Sequence, residues 1–206
     1  MYLIRKIWNW CKRYRHRCGY GVHSPSDFFL ITFVIYEKQA YYAYQDLKKK
    51  LFDHSLSHYR TKVNKLLFRL VNYTRPRTLV EIGCGNGASF AYMLAARTSM
   101  EASSLDGNLA EITEQLDDVL KDEDTLDFIH LGFTPYYKEM FQKILPCVNE
   151  RSCVVVGGIY DSSEKETWWK ELIKDERIRI SYDLYDIGIL FFEPNRYKQH
   201  YIINFL

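Results

Sequence analysis

Hydrophobic and polar residues follow different periods in the two parts of this chain. Between about Tyr59 and Tyr73, Val63, Leu66, Leu67, Leu70 and Val71 share one side of a 3.6-residue repeat. That predicts an amphipathic helix, ended by Thr74-Arg75-Pro76. Upstream, Ser24-Pro25-Ser26-Asp27 offers a cap residue with proline in the first turn, so a helical stretch is expected from about Asp27 to Phe52. Residues 1–20 read as a short basic, aromatic helix ending near Gly19 and Gly21. Its Trp8, Trp10 and Tyr14 are expected to pack on the body of the protein, because one short amphipathic segment binds lipid weakly.

From residue 78 onward, short apolar runs alternate with helical patterns. Strands are expected at 78–82, 101–106, 126–130, 153–157, 178–184 and 187–192, and helices at 87–97, 109–120, 135–145 and 163–174. This order predicts an α/β architecture with a mostly parallel sheet covered on both faces. The runs 178–184 and 187–192 are too close for a crossover and must form an antiparallel terminal hairpin. Residues 199–205 are a candidate for one more strand. The chain therefore divides into a helical N-terminal extension, 1–76, and a Rossmann-like domain, 77–206.

Composition narrows the class of function. With 206 residues, 47% of them hydrophobic and 16% aromatic, the chain can bury one large core and is not disordered. A net charge of +2 argues against a nucleic-acid partner. The charge is uneven, basic up to Ser26 and acidic from Glu111 to Asp127, as solvated faces often are. The 5 cysteines are odd in number and form no C-x-x-C pair, so neither a disulfide framework nor a zinc site is indicated. Reduced thiols fit a cytoplasmic protein. No apolar run reaches transmembrane length, and Arg and Lys interrupt the N-terminus too often for a signal peptide.

The chemistry concentrates in Leu79-Val80-Glu81-Ile82-Gly83-Cys84-Gly85-Asn86-Gly87, an apolar strand running into a turn with glycine at alternate positions. Glycine adopts backbone angles closed to other residues, and a tight turn opening a helix presents N–H groups to a polar ligand. Gly83-x-Gly85-x-x-Ala88 also fits the looser dinucleotide fingerprint, and Asp106, ending the second strand, stands where a ribose-binding acid is expected. Glu81, two residues before the first glycine, discriminates between the ligands. Its charge would repel a pyrophosphate and suits the cationic sulfonium S-adenosylmethionine.

The strand–Glu-x-Gly-x-Gly-x-Gly turn, the acid ending strand two and the terminal hairpin together resemble class I S-adenosylmethionine-dependent methyltransferases. Tyr20-Gly21-Val22-His23-Ser24-Pro25, Lys65-Leu66-Leu67-Phe68-Arg69-Leu70, Asp183-Leu184-Tyr185-Asp186-Ile187-Gly188 and Lys198-Gln199-His200-Tyr201 are further similar to an O-methyltransferase-related group found chiefly in Bacteroidetes. The resemblance implies a Rossmann-like methyltransferase sandwich in which Glu81, Gly83, Gly85, Gly87 and Asp106 contact the cofactor. It also implies O-methylation of a small-molecule acceptor.

Three departures qualify that pattern. Relatives carry an acid near the position of His130 and a pair of acids near Gly157 and Gly158. One histidine and two glycines cannot supply magnesium with hard oxygen ligands, so no catalytic metal is expected. The span from Asp106 to residue 126 is short for a helix plus the usual edge strand, so strand three is expected to be missing. Asp122, Glu123 or Asp124 would then stand near the adenine.

His130, at a strand end, is the candidate general base. Tyr160 and Asp161 are candidates to shape an acceptor site. His23 either belongs to a lid over the cofactor or caps a helix. The extension would cover the site or form a homodimer contact. Other readings are a catalytically degenerate binding or scaffold module, a nucleic-acid methyltransferase working through the basic N-terminus, and a nicotinamide oxidoreductase.

Overall fold

The computed structural model describes residues 8–50, 59–83, 85–122 and 124–206, without the side chains of Lys50 and Asp122. Arg5, Lys6, Cys84, Glu123 and the end of the helix expected to reach Phe52 lie outside the described residues. Seven strands form one sheet: β1 (Thr78–Ile82), β2 (Glu101–Leu105), β3 (Leu126–Leu131), β4 (Val148–Gly157), β5 (Ile180–Asp183), β6 (Ile187–Phe191) and β7 (Gln199–Ile202). Their order across the sheet is β2-β1-β3-β4-β6-β5-β7. Strands β2, β1, β3 and β4 run parallel, β6 runs antiparallel to both its neighbours, and β7 pairs parallel with β5. The terminal hairpin thus pairs as its short connection requires. Residues 199–202 supply the additional strand.

Alternation along each strand splits the core in two. Leu79, Phe128, Cys153 and Val155 face one side, while Val80, Ile129, Val154 and Val156 face the other. The second side is covered by α5 (Leu109–Asp122), α6 (Tyr137–Ile144) and α7 (Ser163–Leu172). The first side is covered by α3 (Thr61–Thr74), α4 (Ala88–Ala96) and a π-helix, Leu30–Ile35. The N-terminal helices therefore share a hydrophobic core with the sheet.

Three boundaries differ from the sequence reading. The expected 27–52 helix is divided into α1 (Pro25–Phe29), the π-helix and α2 (Tyr42–Lys50), with non-helical backbone at 36–41. Its break follows from a distant partner: Arg69 donates Nε to the Val34 carbonyl at 2.6 Å and Nη2 to that of Ile35 at 3.0 Å. Strand β4 starts five residues early, because its pairing with β3 slips between Val148 and Cys153. Ser152 stabilises the irregular stretch by donating to the Leu126 carbonyl at 2.6 Å. Finally, residues 8–12 form a helical turn whose aromatics do not dock: Trp8 is 62% and Tyr14 59% exposed. Buried Arg13 anchors the segment instead, with Nη1 and Nη2 donating to the two carboxylate oxygens of Asp183 at 2.8 and 3.1 Å.

Helix α5 occupies the span between β2 and β3, and among the described residues β2 ends the sheet. No helix among them is long and apolar enough to cross a membrane.

Candidate functional site

Strand β1 delivers its C-terminal end to the sheet rim where ligands bind in open α/β sheets. The turn that follows holds Gly83 at φ +77°, Gly85 at +58° and Gly87 at +74°. A Cβ on Gly83 would also stand 2.9 Å from the amide nitrogen of Thr134, so close packing and backbone angle both demand glycine there. Gly87 has nothing within 4 Å of such a Cβ, and its requirement is angular alone. The Gly83 amide donates to the Leu105 carbonyl at 2.9 Å, which ties the turn to the end of β2.

Asp106 follows directly. Its carboxylate accepts the Gly107 amide at 2.9 Å, while the Gln115 side chain exchanges hydrogen bonds with its main chain at 3.2 and 3.3 Å. The glycine turn and Asp106 are therefore neighbours.

Beneath the turn lies a buried chain of polar groups. Glu81 and His130 are in register on parallel strands, so their side chains share one face. Both are fully buried. His130 Nδ1 lies 2.6 Å from Glu81 Oε1, and Ser89, in the first turn of α4, donates to the same oxygen at 2.5 Å. The Tyr59 hydroxyl stands 3.0 Å from His130 Nε2. With Nδ1–H donated to the carboxylate, Nε2 accepts the tyrosine proton. Glu81 Oε2 is buried with no partner among the described residues, a costly state that a ligand donor would relieve.

Tyr59 also explains a glycine. Its hydroxyl occupies the space that a Cβ on Gly157 would need, and Asp161 Oδ2 does the same at Gly158. Tyr59 from another layer and Asp161 from three residues along the chain thus fill the space beside Gly157 and Gly158. Burial holds the Tyr59 proton far more tightly than usual, and the negative charges of Glu81, Asp161 and Asp186 add to that.

No protein-family model matches the sequence, and no curated protein matches it. Solved structures do match. A putative caffeoyl-CoA O-methyltransferase from Staphylococcus aureus superposes with a TM-score of 0.54 at 11% identity, covering 82% of this chain and 99% of the other. An O-methyltransferase from Bacillus cereus in complex with S-adenosylhomocysteine gives 0.52 at 12% identity, covering 75% and 92%. The O-methyltransferase TomG from Streptomyces achromogenes, in complex with S-adenosylmethionine, gives 0.51 at 14% identity, covering 75% and 91%. The fold is that of the methyltransferases.

Within this methyltransferase fold the remaining candidates are spread out. Tyr160 follows β4, but its hydroxyl donates to Asp183 Oδ2 at 2.5 Å and its ring stacks on Tyr185, with Arg13 over both rings. Exposed Asp161 stays at the rim against Gly158. His23 is placed elsewhere, in a cavity with Arg196, Tyr201 and Ile180, at the start of β5 and on the far edge of the sheet. The adjoining Ser24 caps α1 by accepting the Asp27 amide.

A metal does not fit the donor set. His130 has both nitrogens engaged, the two glycines offer no side-chain oxygen, and among the described residues no three His, Cys, Asp or Glu side chains converge. For a cofactor the chain offers open space beside Gly87 and the buried Glu81 Oε2, which has no partner among the described residues.

Sequence reasoning missed Tyr59, Ser89 and Lys165. Ser89 could have been found as a hydroxyl one turn into the helix behind the glycines. Tyr59 lies 71 residues from its partner and gave no local signal. Lys165 reads as helix surface, yet it is buried with its ammonium 4.9 Å from the Tyr137 ring centre. Burial lowers its pKa, with Asp161 pulling the other way.

Proposed function

We propose that this chain is an S-adenosylmethionine-dependent methyltransferase, that it acts without a metal, and that it methylates a hydroxyl of a small molecule. Its membership of the O-methyltransferase-related group of Bacteroidetes is part of the same reading. The observation that carries it is the left-handed glycine turn closing β1 beside Asp106, in a methyltransferase fold.

Asp106 is suited to accept hydrogen bonds from both ribose hydroxyls, and the main chain at Gly83, Gly85 and Gly87 lets a ligand approach closely. Glu81 Oε2 is placed to accept from a cationic ligand group. When bound, S-adenosylmethionine supplies a methyl group on a positive sulfur, already activated toward an oxygen nucleophile.

The chain's own task is then alignment and removal of one proton. His130 is the base of this scheme, and it is reached through Tyr59. The acceptor proton passes to the Tyr59 oxygen as the tyrosine's own proton moves to Nε2, and Glu81 stabilises the resulting imidazolium. A phenol held neutral, as Tyr59 is, can both give and take a proton. Asp161 borders the acceptor side of this rim.

Titration calorimetry with S-adenosylhomocysteine tests the proposal. Micromolar to submillimolar binding is expected, weakened at least about tenfold by Asp106→Ala, the scale of one lost charge-assisted contact. No heat at millimolar ligand overturns it. Binding without turnover on any hydroxylated acceptor would retain the cofactor site and overturn methyl transfer.

A further inference from the structure

A cavity of about 540 Å³ lies apart from the glycine turn, and none of its lining residues belongs to that turn or to β2. It is walled by α3, by residues 35–44 and by the segment following β7, with Trp10 and Arg17 from the N-terminal region. Its size falls within the range of small-molecule sites, about 300–1,000 Å³.

The wall is cationic and aromatic. Lys62 holds its ammonium 4.0 Å from the Phe205 ring centre and donates to the Phe205 carbonyl at 3.0 Å. Lys65 places its own 4.8 Å from the ring centre of Tyr44. Arg17 lies over Trp10, 5.8 Å from the centroid. Among the described residues, no carboxylate pairs with Arg17, Lys62 or Lys65. Glu37 also lines this wall, keeps its negative charge and accepts the Tyr41 hydroxyl at 3.0 Å rather than any of these cations.

Lys62 and Arg17 are exposed and Lys65 is half-buried, and each rests on an aromatic face without a carboxylate partner among the described residues. An anion placed between them meets two ammonium groups at once, beside rings that can pack on a flat ligand. The lowered pKa of Lys62, about 8, agrees with that surrounding. It arises from lost hydration first and then from Arg60, Arg69 and Arg17, against the opposing pull of Asp186.

We propose that this cavity binds a flat aromatic molecule carrying an anionic group, with the charge between Lys62 and Lys65 and the ring along Trp10 and Tyr36. The site goes beyond methyl transfer, and its test reads binding alone. The probes are 1-anilinonaphthalene-8-sulfonate and its uncharged relative N-phenyl-1-naphthylamine, titrated by fluorescence into the full chain saturated with S-adenosylhomocysteine.

The expected result is one site for the sulfonate, at least about tenfold tighter than the neutral probe, the scale of charge-assisted contacts to two lysines. The double variant Lys62→Gln, Lys65→Gln should lose that advantage with near-ultraviolet circular dichroism unchanged. Lys62→Arg, which keeps the charge, should retain it. At pH 8 the wild type should also take up as much as about half a proton on binding, because the anion raises a group that is about half charged there. Equal affinity for both probes, or a sulfonate affinity untouched by the double variant, overturns the proposal. So does a loss in Lys62→Arg as large as in the glutamine variant. Sulfonate binding that S-adenosylhomocysteine displaces would assign the probe to the glycine turn and overturn it as well.

Discussion

At residue scale, the Glu81–His130 pair decides what substitutions cost. Removing one member of a buried pair strands the other, and such losses run to about 3–5 kcal/mol. His130→Ala should therefore destabilise the protein by that order in urea unfolding, with Ser89 left alone to satisfy Glu81 Oε1. Tyr59→Phe removes one hydrogen bond and keeps the ring packed on Phe133, so it should cost only about 1 kcal/mol. If Tyr59 conducts the acceptor proton, the same variant lowers turnover far more than it lowers stability. A Tyr59→Phe protein with full turnover would remove tyrosine from the proposed path.

Gly157→Ala offers an independent check, because its methyl group must displace the Tyr59 hydroxyl. It should destabilise by about 1–3 kcal/mol, the usual range for overpacking. Glu81, the glycines, Asp106 and His130 were all visible in the sequence, because a strand, a turn and a strand end are local patterns. Their joining was not, since register between β1 and β3 spans 49 residues and Tyr59 arrives from another layer.

At element scale, two long-range anchors shape the N-terminal helices. Arg69 takes up two carbonyls at the end of the π-helix. Arg69→Met should leave both without a donor and cost about 2–6 kcal/mol in urea unfolding, at about 1–3 kcal/mol for each stranded group. A change below about 0.5 kcal/mol would mean that water takes over the capping.

Asp27 is the second anchor, bonded by the Tyr182 hydroxyl at 2.5 Å, the Tyr201 hydroxyl at 3.0 Å and Arg196 at 2.6 Å. Burial raises its pKa, but the hydrogen bonds from Tyr182, Arg196 and Ser24 outweigh this, and the net shift is downward from 3.8. The folded state therefore binds a proton less readily than the unfolded one. Its stabilisation is present above pH 3.8 and is lost as pH falls through the lower folded value. The stability gap between the wild type and Asp27→Asn should be constant from pH 7 to about 5 and shrink below 3.8. A gap independent of pH would contradict the anchor. The helix start at Ser24-Pro25 was legible from its cap and proline, whereas the break after Ile35 depends on Arg69, a partner 34 residues away.

Across the whole molecule, the unequal burial of the strands predicts where a ligand is felt. Strand β3 and residues 152–157 of β4 are covered on both faces, while β2 carries exposed and half-buried positions along most of its length and has no outer partner among the described residues. The mostly parallel sheet and its antiparallel hairpin were readable from alternation and loop length, and the short span before residue 126 pointed to a missing edge strand, whereas the order of the strands was not read from the sequence. An edge with few buried apolar contacts opens at low free energy. Residues 101–107 and the turn at 83–87 should thus exchange their amide hydrogens early, and β3 and β4 late.

Saturation with S-adenosylhomocysteine at about a hundredfold over its dissociation constant adds about 2.7 kcal/mol of stability, available only to states that keep the site intact. Openings that break the glycine turn or the end of β2 must pay that amount, so their exchange should slow by up to about a hundredfold. The cavity beside Lys62 does not touch these elements, and its amides should be unaffected. Protection confined to α3 and residues 35–44 would move the cofactor to that cavity and leave the glycine turn without its assigned role.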